Sequence, residues 1–439
     1  MKFFCLGCLM LGYLNCYAIN YYVSAQKGNH KYSGLTPSAP KKNINEAAAL
    51  SRPGDTVFVM NGTYVNICPA CNVVDITRSG NALKYIVYAN YRGQHPVIKF
   101  TGWIGIAITN GASYIKITGF EVIGANAKIS LTKALRQQKS CANPKGDFEP
   151  LYNGNGIVVD GRTPKHSHHI VIAKNIIHDC SGGGIGATHA DYITVEGNLV
   201  YNTSWYTVFG TSGIAFYQFW NFDNARGYHN VIANNRCYNN RSLVPWVKTC
   251  QLSDGNGIIV DDFRNKQNGS KLGPYRNRTL IQNNVCWYNG GTGIHTFQSD
   301  HVDMINNTAY CNSRTKGLNA GQILSGLSYD NRIVNNILVA DSGIVINSNF
   351  HNSRLTYCYN LHFNITHPKR EIVRISDKTC ITGVNPQFIM PGNKLNANFN
   401  LKNTSPALRH GHPRIFSRVD FNGKKRALHN APDLGAYEN

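Results

Sequence analysis

Short apolar runs that end on asparagine recur through the middle of the chain, from His168 to Asn312 and once more beyond it. Each is followed by a second apolar run that begins with Gly-Ile. Brief apolar runs separated by Asn and Gly corners predict β-strands joined by tight turns. The first runs end at Asn175, Asn198, Asn235, Asn284, Asn307 and Asn336, and the second runs begin at Gly184, Gly213, Gly257, Gly293 and Gly343.

The spacing of these asparagines identifies the repeat as a solenoid. Asn175 and Asn198 are 23 residues apart, and so are Asn284 and Asn307. That length is sufficient for one coil of a parallel β-helix and too short for a βαβ unit, which needs roughly 30 residues or more. The sequence therefore predicts an all-β fold, a right-handed parallel β-helix.

Stacked coils place equivalent residues in columns, because neighbouring parallel strands lie about 4.8 Å apart. We expect the six asparagines to form one inward column in which each amide hydrogen-bonds the next, since buried amides need partners. Two positions further along, small and apolar side chains are predicted to form a column of the core. Its members are Ile177, Val200, Cys237, Cys286 and Ala309.

Two consecutive coils are longer than the others, by about 14 residues before Asn235 and by about 26 residues after it. The additional residues must leave the solenoid as loops, and we assign them to residues 203–211, 241–255 and 264–277. Long loops on neighbouring coils form the walls of a groove, where functional residues tend to collect. The sequence therefore predicts a groove beside these coils.

The ends of a solenoid expose strand edges that need a cover. Residues 44–50 predict a short capping helix that ends before Pro53 and Gly54. Residues 433–437 predict a final strand at the other end. Residues 19–439 are thus predicted to form a single β-helix domain, interrupted by a long polar insertion over residues 125–150.

Residues 1–18 predict a secretory signal peptide, with Lys2 before an apolar run over residues 3–14 and a small-residue cleavage site at residues 16–18. The run is too short to span a bilayer. We therefore expect a secreted protein, extracellular or periplasmic, with no membrane anchor after cleavage.

Three of the 13 cysteines precede the predicted cleavage site, and the ten that remain are compatible with disulfides after export. Cys68 and Cys71 are the nearest candidate pair. Cys237 and Cys286 fall in the predicted core column, where free buried thiols and a bridge both remain open.

The charge of the chain bears on its partner. Lys and Arg total 44 against 23 for Asp and Glu, a net charge of +21. Such an excess favours either a polyanionic partner or a surface kept charged for solubility. The basic residues are scattered and no nucleic-acid-binding motif is present, so nucleic acid is not predicted. An acidic polysaccharide fits a secreted solenoid better, and we expect a monomer.

The Gly-Ile runs also define an outward face beside the predicted loops. If the Ile points inward, the residues two and four positions after the Gly point outward, because side chains alternate along a strand. This face carries polar and aromatic side chains suited to a sugar-binding groove, although a solvated sheet face would also explain them. Its members, with the residues just past each strand, are Asp160, Arg162, Thr188, His189, Tyr217, Gln218, Asp261, Asp262, His295, Phe297 and Gln298.

Three segments resemble secreted right-handed β-helix polysaccharide lyases. They are Tyr-Tyr-Val-Ser at residues 21–24, Arg-Pro-Gly-Asp-Thr-Val at residues 52–57 with Gly-Thr-Tyr at residues 62–64, and Asp-Leu-Gly-Ala-Tyr-Glu at residues 433–438. The sequence is most similar to pectate lyases of family 9 and to β-helix alginate lyases. The resemblance covers nearly the whole mature chain and implies β-elimination on a uronate polymer such as pectate or alginate.

β-Elimination needs a base for the proton α to the uronate carboxylate and an acid for the departing glycosidic oxygen. Tyr217 is the predicted proton-transfer residue, because it stands outward between the two long loops. Lys248 lies in the wall and is its predicted partner, since similar lyases use Lys, sometimes with Tyr. Lys266 and Lys271 are rivals for that role.

Asp254, Asp261 and Asp262 are candidate ligands for Ca²⁺, which prefers several oxygen ligands and would neutralise a substrate carboxylate. Family 9 pectate lyases also carry an adjacent Asp pair, but this sequence departs from them over residues 263–265. Adjacent strand residues point to opposite faces, so the pair can share one ion only if the strand ends there. The predicted substrate contacts are Arg162 and Arg264, which could pair with uronates, together with His189, Gln218, His295 and Gln298.

Other functions remain compatible with the sequence, because the fold does not decide among them. A uronan C5-epimerase shares the proton abstraction. A β-helix glycoside hydrolase would use Asp261 and Asp262 as its carboxylates. A non-catalytic carbohydrate-binding surface protein would use the same groove without turnover.

Overall fold

The chain folds into a solenoid of three long parallel sheets, and successive coils add strands to the sheets in turn. This computed structural model describes residues 18–162, 165–341, 343–368, 377–426 and 431–439. Residues 1–17, almost all of the predicted signal peptide, lie outside the described residues. The predicted parallel β-helix is confirmed.

We number the sheets in the order in which one coil meets them. The first sheet has the strands Asn20–Val23, Thr56–Val59, Ile86–Asn90, Ile115–Thr118, Ser167–Ala173, Ala190–Glu196, Tyr228–Ala233, Arg278–Gln282, Val302–Ile305, Arg332–Val334 and Thr356–Cys358. The second has Gly62–Val65, Pro96–Lys99, Glu121–Ile123, Ile176–His178, Leu199–Tyr201, Arg236–Tyr238, Val285–Trp287, Thr308–Tyr310, Ile337–Ala340, Leu361–Asn364 and Ile381–Thr382. The third has Val74–Ile76, Ile104–Ile108, Asn155–Asp160, Ile185–Thr188, Ile214–Tyr217, Ile258–Asp261, Ile294–Phe297, Ile323–Gly326 and Asn347–Phe350.

The remaining elements are short. They are the α-helices Ile44–Leu50, Leu131–Leu135 and Pro150–Asn153, the 3₁₀-helix Asn126–Lys128, and an antiparallel pair formed by Phe388–Met390 and Asn398–Leu401. Within the described ranges, no helix has the length and apolar character needed to cross a bilayer.

The asparagine column forms at the corner between the first and second sheets. Asn175 donates from Nδ2 to Oδ1 of Asn198 at 3.1 Å, and the same bond repeats at every step. It extends one coil beyond the prediction, from Asn336 to Asn360 at 3.0 Å. The residue before each ladder member has a left-handed backbone (φ 56° at Lys174), which turns the chain and aims the amide inward. The predicted ladder is confirmed.

A second ladder, which the sequence analysis did not identify, forms at the corner between the second and third sheets. Asn240 donates from Nδ2 to Asn289 at 2.9 Å, Asn289 donates to Asn312 at 2.8 Å, and Asn312 donates to Oε1 of Gln322 at 3.0 Å. Thr203 joins the column by donating from its hydroxyl to Asn240 at 2.8 Å. Loops 203–211 and 241–255 leave the solenoid at this corner, so the ladder anchors the bases of both.

The core lies between the three sheets. The predicted column from Ile177 to Ala309 is fully buried and in register from coil to coil. Cys237 and Cys286 are neighbours in it and remain free thiols. Under the third sheet, Phe219 stacks between Phe216 and Phe263 with centroid distances of 4.9 and 4.8 Å. This rigid stack lies beneath the strands that carry the predicted outward face.

The N-terminal helix has the predicted bounds. It begins after Asn43, whose side chain accepts a hydrogen bond from the Glu46 amide at 3.0 Å. Two strand predictions are wrong. Residues 433–437 form no strand, although Leu434 and Ala436 are buried in a cluster with side chains of the second sheet. The run that begins at Gly343 is part of a lengthened corner, and the strand of that coil starts at Asn347.

The three predicted loops all flank the third sheet. Loops 203–211 and 241–255 border one edge, and loop 264–277 borders the other, between the third and first sheets. The predicted Cys68–Cys71 disulfide is present. A second disulfide, Cys141–Cys250, joins the polar insertion to loop 241–255. The loop is therefore held both by its base and by a covalent link.

Candidate active site

A cleft of about 530 Å³ lies on the outer face of the third sheet. Its floor is formed by the strands Ile214–Tyr217, Ile258–Asp261 and Ile294–Phe297, and residues of all three loops form its walls. The predicted groove is therefore present. The lining residues used below are Arg162, Phe209, Tyr217, Trp246, Asp254, Asp261, Gln267, Asn268, His295 and Phe297.

Tyr217 lies on the floor, and its phenol oxygen accepts a hydrogen bond from Nδ2 of Asn268 at 2.6 Å. The hydroxyl hydrogen of Tyr217 has no acceptor among the described residues, so it can point into the cleft. Burial raises the pKa of Tyr217 to about 12, with the Asn268 bond opposing the shift and Asp261 and Asp262 adding to it. At neutral pH the phenol is protonated, which makes it a proton donor.

Lys248 does not hydrogen-bond Tyr217 directly. Its exposed ammonium donates a hydrogen bond to Oδ1 of Asn268, whose Nδ2 is bound to the phenol. The Lys248 ammonium also lies 5.6 Å from the centroid of the Trp246 ring. Lys248 therefore acts on Tyr217 through the Asn268 amide, and this contact joins the two walls across the cleft.

Asp261 is the register partner of Tyr217 on the next strand. Its Oδ1 accepts a hydrogen bond from Nε2 of Gln267 at 2.9 Å. Burial raises the pKa of Asp261 to about 8, and the nearby carboxylates of Asp254 and Asp262 contribute to the shift. The carboxyl group is therefore largely protonated at neutral pH and can donate a hydrogen bond.

Asp254 stands in the wall opposite Asp261. Its Oδ2 accepts a hydrogen bond from the Ser253 hydroxyl at 2.7 Å, and its Oδ1 accepts one from Nδ2 of Asn256 at 3.3 Å. Burial raises the pKa of Asp254 above its ordinary value. The cleft thus contains two carboxyl groups that both hold protons more tightly than usual.

His295 lies on the strand after Asp261. Its Nε2 is buried and has no hydrogen-bond partner among the described residues. Burial lowers the pKa of His295 to about 4, so the imidazole is neutral at physiological pH. A neutral imidazole in a cleft can accept a proton, a role beyond the substrate contact predicted from the sequence.

The structure excludes Asp262 and Gln218 from the cleft. Asp262 is fully buried, and its two oxygens accept bonds from the Lys266 amide at 2.8 Å, the Gln267 amide at 2.7 Å and Nε2 of Gln218 at 2.8 Å. Gln218 is buried as well and also donates to the Gln267 carbonyl at 2.8 Å. Both residues follow a strand with left-handed φ values, which reverses the side-chain direction expected from simple alternation. Their predicted roles as metal ligand and substrate contact are wrong.

The predicted calcium site is therefore incomplete. Asp254 and Asp261 face the cleft, but Asp262 is bound to the base of loop 264–277. In the described part of the chain, no group of three or more His, Cys, Asp or Glu side chains is arranged to hold a metal ion. Ca²⁺ takes six to eight oxygen ligands. The three-carboxylate site predicted from the sequence does not fit this structure.

The two arginines predicted to bind uronates are already paired. Arg162 binds both oxygens of Asp160, at 2.9 and 2.6 Å. Arg264 binds Asp300 through Nε at 2.9 and 3.1 Å and lies outside the cleft lining. Arg162 lines the cleft but its charge is balanced. The cleft lining therefore carries no excess of positive charge from its lysines, arginines and aspartates, because it has one paired arginine and two aspartates.

The remaining predicted residues are not part of the cleft lining. Gln298 accepts a hydrogen bond from Nε2 of Gln267 at 3.2 Å and so supports the residue that holds Asp261. His189 follows a third-sheet strand, its Nδ1 is buried without a described partner, and burial lowers its pKa. Lys266 and Lys271 are exposed on the loop and are absent from the cleft lining.

Sequence reasoning did not identify the residues that position the side chains of Tyr217 and Asp261. Gln267 and Asn268 lie in loop 264–277, outside the repeat. The coil length located the loop, and only the Asn-Gly turn signal at residues 268–269 pointed to these positions within it. Phe209 and Trp246 are partly exposed aromatic residues of loops 203–211 and 241–255 that line the cleft, which is a signal for sugar stacking. With Phe297 they give the cleft three rings.

The comparisons with known proteins agree with this fold. A family model described as "Pel9A-like, right handed beta helix region" matches residues 21–323. The chain is similar to the structure of pectate lyase Pel9A, with a TM-score of 0.54 and 18% identity over 96% of each chain. It is also similar to a structure of XylC with xylose, with a TM-score of 0.54 and 11% identity over 96% of this chain and 98% of the other. No match was found among curated protein sequences. The predicted right-handed hand of the helix is confirmed.

Proposed function

Because the chain belongs to the Pel9A-like right-handed β-helix family, we propose that it is a secreted lyase that cleaves an acidic, uronate-containing polysaccharide by β-elimination. The observation that carries the proposal is a group of three titratable side chains on neighbouring strands of the third sheet. Tyr217 and Asp261 are register partners on adjacent strands, which lie about 4.8 Å apart. His295 lies on the next strand, in register with Ile259 and therefore two residues along from the Tyr217–Asp261 pair. They supply a proton donor, a neutral carboxyl group and a neutral imidazole to one cleft.

Each group has a place in the reaction. The neutral imidazole of His295 removes the proton at C5 of the uronate, and the electron pair forms the C4–C5 double bond. The bond between C4 and the glycosidic oxygen breaks, and the departing oxygen takes the phenolic proton of Tyr217. The protonated carboxyl group of Asp261 hydrogen-bonds the substrate carboxylate, where negative charge accumulates during proton removal. Asn268 and Lys248 position the phenol and do not transfer protons.

The protonated state of Asp261 also explains how a cleft with two aspartates accepts a polyanion. A neutral carboxyl group does not repel a uronate, and the net charge of +21 favours approach of an acidic chain. Phe209, Trp246 and Phe297 offer apolar surfaces to the sugar rings. The polymer is expected to lie along the third sheet.

One assay tests the proposal. The protein is incubated with pectate, alginate and a glycosaminoglycan, each with added Ca²⁺ or with a chelator, while ultraviolet absorbance is followed. Pectate is the first substrate to test, because one of the similar structures is a pectate lyase. New absorbance reports an unsaturated uronate. Reducing ends without absorbance would contradict elimination, and altered proton signals at C5 alone would indicate an epimerase.

A glycoside hydrolase is the second candidate, and the pairing of Asp254 with Asp261 in one cleft favours it. A carboxyl group with a pKa of about 8 can act as a general acid at neutral pH, and a second carboxylate can act as base or nucleophile. The sequence alone suggested Asp261 and Asp262 as the two carboxyl groups, whereas in the structure the second carboxyl group in the cleft is that of Asp254. A loss of hydrolysis in Asp254→Asn, with His295→Gln still active, would select this alternative.

A further inference from the structure

A second cavity, of about 550 Å³, lies at the corner between the second and third sheets, on the C-terminal side of the cleft. It begins at Arg241, where loop 241–255 leaves the solenoid, and includes the turn at residues 313–319, two coils further along. It shares no lining residue with the cleft. It is therefore a concave site that is separate from the cleft but lies beside the same loop, 241–255.

The cavity has an excess of positive charge. Its lining contains Arg241, Arg314 and Lys316 and no acidic residue. Arg314 is neutralised by Asp341, whose oxygens lie 2.8 and 2.7 Å from Nη1 of Arg314, and the Arg314 guanidinium also lies 4.9 Å from the centroid of the Tyr288 ring. The other two cations have no carboxylate partner within the described ranges.

Arg241 is the unusual member. Its Nε is buried and has no hydrogen-bond partner among the described residues. Burial and the neighbouring charge of Arg314 lower the pKa of Arg241. The Arg241 side chain as a whole is half-buried, and a partly desolvated guanidinium without a carboxylate partner is costly, because its charge is not compensated. The cavity is thus lined by an arginine that lacks a carboxylate partner in the described part of the chain, and an oxyanion would compensate its charge.

We propose that this cavity binds an oxyanion group of an acidic saccharide, with Arg241 as the main donor and Lys316 as an auxiliary cation. A planar guanidinium suits a carboxylate or a sulfate ester, because two N–H groups can bind two oxygens. The proposal rests on the proposed function only in taking the anion to be part of a polysaccharide. The site would hold a segment of polymer away from the cleft and so increase affinity without taking part in cleavage.

The test uses small anions and polymers separately. Thermal unfolding of the full-length protein is measured with galacturonate or sulfate against chloride at equal ionic strength. Retardation is measured in gels that contain pectate or a sulfated glycosaminoglycan. The variants are Arg241→Gln and Lys316→Gln, and the control is Lys99→Gln, which removes an exposed lysine from the far end of the second sheet. Lys316 is exposed, so its replacement leaves the fold intact.

The wild type and Lys99→Gln should be stabilised by at least one of the two anions beyond chloride and retarded by the matching polymer. Arg241→Gln should reduce the affinity at least fivefold, and Lys316→Gln should reduce it by a smaller factor. A preference for galacturonate or for sulfate identifies which oxyanion the site takes. Equal binding by wild type and Arg241→Gln would overturn the proposal, even if the cleft cleaves polymer. Binding of a small anion through Arg241 without any turnover would support this site while the proposed function fails.

Discussion

The phenol of Tyr217 and the ammonium of Lys248 bind opposite ends of the same Asn268 amide. The ammonium fixes which end of the amide is the acceptor, and Nδ2 is thereby directed at the phenol oxygen. Because that oxygen accepts this bond, its own hydrogen is free for a substrate. The relationship makes Tyr217 a donor whose orientation depends on both walls of the cleft.

Replacement of Tyr217 by Phe should reduce turnover by about 10²-fold to 10⁴-fold, the usual contribution of a general acid. Polymer binding should change little, because the ring remains. Initial rates by ultraviolet absorbance and retardation in pectate gels measure the two effects. Tyr201→Phe, which removes a hydroxyl from the second sheet, is the matched control. Turnover near the wild-type rate in Tyr217→Phe would exclude the proposed role.

Replacement of Asn268 by Ala should reduce kcat about fivefold, because a positioning bond worth about 1 kcal/mol is lost. Lys248→Met should reduce kcat by a similar or smaller factor, and the double variant should be no worse than Asn268→Ala alone. Steady-state kinetics of the three variants measure this coupling. Additive losses would mean that Lys248 acts independently of the amide.

Affinity for an acidic polymer should fall as pH rises above about 8. Asp261 has a folded pKa of about 8 and becomes negative above it, so it then repels a uronate. The fall should approach tenfold per pH unit and should be absent in Asp261→Asn, which stays neutral. Binding measured from pH 6 to 9.5 tests this. A wild-type affinity that is constant through pH 9 would contradict it.

The same carboxyl group gives a stability prediction. Its folded pKa lies above the ordinary value of 3.8, so the folded state binds the proton more tightly than the unfolded state. This contribution is complete below about pH 4 and is lost as pH rises towards 8. Asp261→Asn should therefore lose less stability than the wild type over that interval. Urea unfolding at pH 5 and pH 8 measures the difference.

Removal of the Cys141–Cys250 disulfide should loosen the wall that carries Trp246 and Lys248. Cys250 lies in loop 241–255, and the link ties it to the insertion before the third-sheet strands. The Cys141→Ser/Cys250→Ser variant should show several-fold lower kcat/KM and faster proteolysis of the loop. The matched control Cys68→Ser/Cys71→Ser removes the other disulfide and should retain activity. Equal effects in both pairs would show that general destabilisation is responsible.

The parts of the fold that repeat could be predicted from the sequence. The Asn175 ladder and the Ile177 column follow from a 23-residue period, because every coil imposes the same geometry on the same position. The outward column that contains Tyr217 and Asp261 follows for the same reason. The period also located the loops, since extra residues must leave a fixed coil.

The parts that depend on single corners and loops could not be predicted. Gln218 and Asp262 adopt positive φ values just past their strands, so strict alternation assigned their side chains to the wrong side. Asn268 and Gln267 lie in a loop with no repeat to fix their positions. The Cys141–Cys250 pair joins residues 109 positions apart, and only the assembled loops bring them together.

The asparagine ladders have a consequence for how this scaffold tolerates change. Coils of 23, 37 and 49 residues share one ladder with bonds of 3.0 to 3.1 Å, so the length of a loop does not change how its coil stacks on the next. Loops of different length can therefore be inserted at the corners of the solenoid independently of one another. Exchanging residues 242–249 for a shorter or longer segment, with Arg241 and Cys250 kept in place, should alter which polymer binds while the unfolding temperature of the solenoid changes little.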